Sequence, residues 1–252
     1  MNLEEYEKLD PRCIVRDGDI EVVYVTPNAM TRWRVDTLFK KEPVTIEWIA
    51  GFRSGEVLVD VGANVGMYTI WAARTRGVRV FAFEPESLNY ALLNRNIFHN
   101  RLAAQVRAYC VALSDGGGLG ELHLSQFGAG GSVHSLNEAV DHAHRPSRHE
   151  FTQGSVSATL DELVREGKVA PPDYVKIDVD GFEPKVIRGA AATLRAGSVR
   201  SLLIEVNQNL PDHMAMVAEL GTLGYKHDPE QVRRALRTSG AFKGCAEYVF
   251  TR

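Results

Sequence analysis

From Val57 onward, short β-branched runs alternate with longer segments whose apolar residues recur at helical spacing, the signature of parallel β-α-β units. Val57-Leu-Val-Asp-Val61 predicts the first core strand, Met67 to Thr75 its helix, and Val78 to Phe83 the second strand. Ser87 to His99 predicts the second helix, with Leu88, Ala91, Leu92 and Arg95 sharing a face. A third strand is expected from Val106 to Val111. After it, Ser114 to Gly120 carries the glycines of a turn, and Glu121-Leu-His-Leu124 alternates like a half-exposed strand. The alternation resumes with Thr159 to Leu163, a strand from Tyr174 to Asp178, a helix opening at Pro184 and ending near Gly197, and a strand from Leu202 to Val206. A helix from Met214 to Leu223 and an antiparallel strand from Glu247 to Phe250 close the pattern. The fold class expected is α/β, a doubly wound, mostly parallel sheet with an antiparallel C-terminal strand.

Two stretches break the rhythm. In the leader, residues 1–52, Asp17-Gly18 marks a hairpin between Cys13–Arg16 and Ile20–Val25, and Pro43 opens a helix to about Phe52. The stretch from about 126 to 154 has few large apolar residues, the run Gly128-Ala-Gly-Gly-Ser132 and four of the eight histidines, which reads as a mobile insertion or lid. Residues 53–252 are expected to form one domain around that insertion.

Composition narrows the function classes. A net charge of −3, from 29 basic and 32 acidic residues, gives no footprint for a phosphate backbone, so nucleic acid is not expected as a partner. No apolar run approaches the roughly 20 residues of a membrane span. The acidic start lacks the features of a signal peptide, and a cytoplasmic location is the default expectation. Cys13, Cys110 and Cys245 are isolated and odd in number, which predicts neither a disulfide framework nor a zinc site.

The first strand carries Asp60 near its end and turns through Gly62, Ala63, Asn64 and Gly66 into a helix, placing small residues where backbone can approach a ligand closely. The loop is not the dinucleotide fingerprint G-x-G-x-x-G, and a carboxylate before it would repel a pyrophosphate. A cofactor with a cationic group fits instead. S-adenosylmethionine has an ammonium and a sulfonium that Asp60 and Asp178 could balance, and Glu84 follows the second strand where an acid accepts ribose hydroxyls.

In these pieces the sequence resembles the FkbM-type methyltransferases over roughly residues 42 to 250. The matching pieces are Asp60-Val-Gly-Ala-Asn-Val-Gly66, Phe83-Glu-Pro85, Ala112-Leu-Ser-Asp115, Thr159-Leu-Asp-Glu-Leu163 and Lys176-Ile-Asp-Val-Asp-Gly-Phe-Glu183 followed by Gly189. The resemblance implies a class I methyltransferase sheet, S-adenosylmethionine as donor, and O-methylation of a sugar, glycan or natural-product hydroxyl. It also implies that Gly62 to Gly66 wrap the methionine moiety, Glu84 the ribose, and Cys110 to Leu113, with Val111 and Ala112, the adenine edge. Asp178 would face the donor's amino end.

A hydroxyl acceptor calls for a base within hydrogen-bond reach, and the candidates are Asp180, Glu205 and His134, the first two at the carboxyl edge of core strands. Asp178, Asp180 and Glu205 are also an oxygen-rich set of the kind magnesium favours, although no residue is assigned as a metal ligand. His142 and His144 read as a solvated part of the insertion. Trp33, within Met30-Thr-Arg-Trp-Arg34, sits in a leader that could cover the acceptor pocket. The competing readings are a nicotinamide-dependent oxidoreductase and a silent cofactor-binding module.

Overall fold

The structure, a computed structural model, describes residues 1–252, the side chains of Tyr6 and Glu7 excepted. The chain opens with α1 (Leu3–Glu7), the hairpin β1 (Arg12–Asp17) and β2 (Ile20–Val25), then α2 (Ala29–Asp36) and α3 (Pro43–Ala50). It continues through β3 (Val57–Val61), α4 (Met67–Arg76), β4 (Arg79–Phe83), α5 (Ser87–His99) and β5 (Val106–Tyr109). Next come β6 (Ala112–Leu113), β7 (Gly118–Leu124), β8 (Ser135–Leu136), β9 (Phe151–Ala158) and α6 (Leu160–Arg165). The last elements are β10 (Tyr174–Ile177), α7 (Glu183–Arg188), α8 (Ala191–Arg195), β11 (Ser201–Asn207), α9 (Pro211–Thr222), β12 (Lys226–His227), α10 (Pro229–Ala235) and β13 (Cys245–Thr251).

Seven strands form the central sheet in the order β12-β13-β11-β10-β3-β4-β5. The contacts among β11, β10, β3, β4 and β5 are parallel, and β13 runs antiparallel to both its neighbours. The strand order reverses at β3, which lies beside both β10 and β4, and ligands of open α/β sheets bind at such a switch point. Alternate residues feed opposite faces of the sheet. Val57, Val59 and Val61 pack with Ile187, Leu194 and Leu220 on one side, while Leu58, Val80 and Ala82 pack with Ile70, Leu93 and Tyr24 on the other. No helix among the described residues is long and apolar enough to cross a membrane.

Several expectations change, among them the helix opening at Pro184 and ending near Gly197, which is two short helices, α7 and α8. The third core strand ends at Tyr109 rather than Val111, because the chain leaves the sheet and Ala112–Leu113 pairs with β9 in a second sheet of order β6-β9-β7-β8. The buried face of α5 is not Leu88, Ala91, Leu92 and Arg95, since Ala91 and Arg95 are exposed. It is built from Asn89, Leu92, Leu93, Asn96 and Ile97, followed by Asn100. The asparagines are buried because they replace missing backbone partners: Asn96 Oδ1 accepts from Val25 N at 2.8 Å and Asn100 Oδ1 from Val23 N at 2.9 Å, locking the leader hairpin onto the core. Residues 126–154 hold β8 and the start of β9, and their glycine run is tied down at several points. Asn28 Nδ2 donates to Ala129 O, Arg34 Nε to Gly130 O, Asn64 Nδ2 and Asn89 Nδ2 to Gly131 O, and Gly130 N to Asn89 Oδ1, all at 2.6–3.1 Å.

Candidate functional site

The glycine loop between β3 and α4 is shaped by close contacts. Gly62 has φ +77°, and a Cβ there would stand 1.9 Å from the carbonyl oxygen of Asp178, so only glycine lets the ends of β3 and β10 approach this closely. Gly66, φ +85°, precedes α4 and would drive a Cβ into Leu93. The amides of the loop are already engaged. Gly62 N and Ala63 N donate to Phe83 O, Asn64 N to Glu84 Oε2, Val65 N to Asn64 Oδ1, and Gly66 N to Ala63 O. Asn64 itself sits at φ +52°.

Above this loop and the carboxyl ends of the strands lies a cavity of about 660 Å³, within the roughly 300–1,000 Å³ typical of small-molecule sites. Gly62, Asn64, Glu84, Val111, Ala112, Asp178, Asp180, Glu205 and His134 all line it. Asp60, Ala63 and Gly66 do not. Asp60 and Ala63 line a separate small cavity of about 40 Å³ behind the loop, next to Glu42, Tyr68 and Lys176. The Asp60 carboxylate is 1% exposed, accepts from Thr69 Oγ1 at 2.5 Å through Oδ2, and leaves Oδ1 without a partner among the described residues. Burial raises its pKa.

Glu84 stands at the end of β4, where its Oε2 accepts from Asn64 N at 2.7 Å and its Oε1 from Glu86 N at 2.9 Å. Burial pushes its pKa up to about 7 against the pull of those backbone donors.

Asp178, Asp180 and Glu205 converge beyond the loop, with one oxygen of each within 4.8 Å of the others. Their partners differ. Asp178 is partly buried, which would raise its pKa, but Lys176 Nζ at 3.0 Å and the charge of Lys41 hold it down at about 2. Glu205 is raised to about 8 by burial and by the charge of Asp178, although Arg237 is ion-paired with it and with Glu247. Asp180 is raised to about 6 by burial and by Asp178, and accepts from Val133 N at 2.7 Å. It has no cationic side chain within 4 Å among the described residues. Its loop is fixed from below, since Glu183 Oε1 accepts from Val179 N and Oε2 from Gly181 N, and Gly181 O accepts from His144 and His213. Asp180 itself has φ +53°, a conformation that such bracing must hold for a non-glycine residue.

His134 lies in the cavity wall with its Nδ1 accepting from Ser125 N at 3.3 Å, which places the ring proton on Nε2. That Nε2 is buried and has no partner among the described residues, and burial together with the charge of Arg34 lowers the ring's pKa to about 4. The neutral ring thus carries an unpaired N–H in the cavity wall. His142 is buried and bonds to Ala241 O, and His144 docks on Gly181, so both tie the insertion to the core.

Sequence reasoning did not single out Lys41 or Arg237. Arg237 follows α10 and reaches Glu205 and Glu247 across the sheet, a juxtaposition for which the sequence carries no local signal.

The family model described as the methyltransferase FkbM domain matches residues 60–227. Hexuronic acid methyltransferase AglP of Haloferax volcanii is 29% identical over 178 residues, covering 69% of this chain and 66% of that protein. The 31-O-demethyl-FK506 methyltransferase FkbM of Streptomyces tacrolimicus is 29% identical over 159 residues, covering 54% of this chain and 60% of that protein. The aligned chain thus spans slightly under two thirds of each relative's length. Among solved structures, magnesium protoporphyrin IX methyltransferase from Synechocystis PCC 6803 overlays with a TM-score of 0.47 at 14% identity, covering 90% of this chain and 85% of that one.

Proposed function

The chain belongs to the FkbM methyltransferase family, and from that premise we propose that it is an S-adenosylmethionine-dependent O-methyltransferase acting on a hydroxyl of a sugar, glycan or natural-product acceptor. The donor, when bound, supplies an electrophilic methyl on sulfonium: the carbon–sulfur bond breaks as the oxygen–carbon bond forms. The residues of the site fit such a donor. Glu84 presents a carboxylate to a ribose, Asp178 an anion to an ammonium, and Gly62 a wall without a side chain. Val111 and Ala112 line the same cavity and would border the adenine.

The observation that carries the base assignment is the difference among the three carboxylates. Lys176 occupies Asp178 and Arg237 occupies Glu205, whereas Asp180 is met only by a backbone N–H and keeps acceptor capacity for a hydroxyl proton. Glu205 is then a proton-holding neighbour, and His134, with its proton on Nε2, a hydrogen-bond donor that positions the acceptor. Because Lys176 and Arg237 already supply countercharge to this cluster, the reaction is assigned to acid–base chemistry rather than to magnesium. AglP, named for a hexuronic acid, supports a sugar as the acceptor class.

The nicotinamide reading needs free backbone donors for a pyrophosphate, and every amide from Gly62 to Gly66 is engaged by the loop itself or by Phe83 and Glu84. Isothermal titration with S-adenosylmethionine and with NAD, repeated on Glu84→Ala, tests the proposal. Binding of S-adenosylmethionine alone, weakened about tenfold or more in the variant, is expected. Binding of NAD, or of neither, would remove the donor assignment.

A further inference from the structure

Four cationic side chains line the main cavity, and three of them already have carboxylate partners. Lys41 pairs with Glu42, Lys185 with Glu138, and Arg237 with Glu205 and Glu247. Arg34, on α2, pairs with none among the described residues. Its Nε donates to Gly130 O at 2.8 Å, and its two terminal nitrogens have no hydrogen-bond partner there. Arg34 lines both the main cavity and the small cavity behind the glycine loop, as do Gly62, Asn64 and Asp178. The unpaired guanidinium therefore stands at the glycine-loop end of the site.

Resting on the reading of S-adenosylmethionine as the donor, we propose that Arg34 is the receptor for the carboxylate of the donor's amino-acid half. That half is a zwitterion. Its ammonium has Asp178, but its carboxylate enters a wall that Glu84, Asp178, Asp180 and Glu205 make acidic, and it requires a cation not already neutralised. A guanidinium meets a carboxylate with two parallel N–H bonds, and the terminal nitrogens of Arg34 are the pair available for it. The charge of Arg34 also lowers the pKa of both Asp180 and His134, which keeps it close to the place of methyl transfer. Through Nε the same side chain holds Gly130, so the residue that reads the donor's tail also anchors the glycine run of the insertion.

The full chain is titrated calorimetrically with S-adenosylhomocysteine, which has the amino-acid half, and with 5′-deoxy-5′-methylthioadenosine, which lacks it. Arg34→Gln is expected to weaken S-adenosylhomocysteine by about tenfold to a hundredfold while methylthioadenosine stays within about twofold. Arg34→Lys, which keeps the charge without the fork, should recover part of the loss. Equal losses for both ligands in Arg34→Gln would mean that the side chain only supports the loop, and an undiminished affinity for S-adenosylhomocysteine would mean that it does not touch the tail. Either result overturns the assignment. A wild-type chain that binds methylthioadenosine yet gains nothing from the amino-acid half overturns it while leaving the nucleoside site standing. Binding of neither ligand overturns the donor reading and this assignment together.

Discussion

The backbone N–H of Asn64 donates to Glu84 Oε2 at 2.7 Å, so the carboxylate assigned to the ribose is also the clamp between the glycine loop and β4. Its folded pKa, about 7, lies above the ordinary 4.5 because burial opposes its charge. A pKa raised by folding stabilises the fold fully below the unfolded value, and that contribution disappears as pH rises through the folded one. Glu84 therefore weakens the ligand-free protein progressively between about pH 4.5 and 7, by up to roughly 3 kcal/mol. Glu84→Gln cannot ionise, and its urea unfolding free energy should fall less over this interval than the parent's. Parallel curves for the two proteins would show that Glu84 is not the group that titrates.

Asp180 makes a prediction about rate. With a base whose pKa is raised to about 6, kcat should climb about tenfold per pH unit below that value and level off above it. Asp180→Asn should lower kcat by about 10²- to 10⁴-fold and leave the KM for S-adenosylmethionine within about threefold. Steady-state kinetics across pH 5–8 measure both. Chelator-treated enzyme should turn over as fast as untreated enzyme, and a gain above tenfold on adding magnesium would reassign the three carboxylates to a metal.

Gly62→Ala asks for a side chain where the carbonyl oxygen of Asp178 would be 1.9 Å from it, at φ +77°. A cost of roughly 3 kcal/mol or more is expected, lowering the melting temperature by about 6 °C or more. Gly154→Ala, in β9 with open space around the added carbon, should melt within about 2 °C of the parent. Differential scanning calorimetry of the two variants decides whether the loop is limited by that contact.

The parallel core was legible because its periodicity is strong. Val57 to Val61 is buried at every position, as a strand covered on both faces must be, and α5 begins at Ser87 and ends at His99 as its pattern predicts. Apolar periodicity misread the inner face of α5, however, since two of its buried residues, and Asn100 just after it, are asparagines whose value lies in distant backbone groups. It also passed over α2, whose Ala29–Asp36 run is half polar. The Asn28 and Thr31 capping box was the local sign, with Asn28 Oδ1 accepting from Thr31 N at 2.9 Å. Candidate residues at strand ends were readable from motif and topology together. The partners that set their charge were not, because Arg34, Lys41 and Arg237 approach from the leader and from beyond α10.

The strand β13 is the last in the chain, yet it lies inside the sheet, between β11 and β12. During synthesis the sheet therefore cannot be laid down in order from one edge to the other. Until residues 237–251 have left the ribosome, β11 exposes an open edge and Glu205 lacks Arg237, its only ion-pair partner among the described residues. The glycine loop thus emerges long before Arg237, so the charge balance of Glu205 is set well after the loop that faces it has been made.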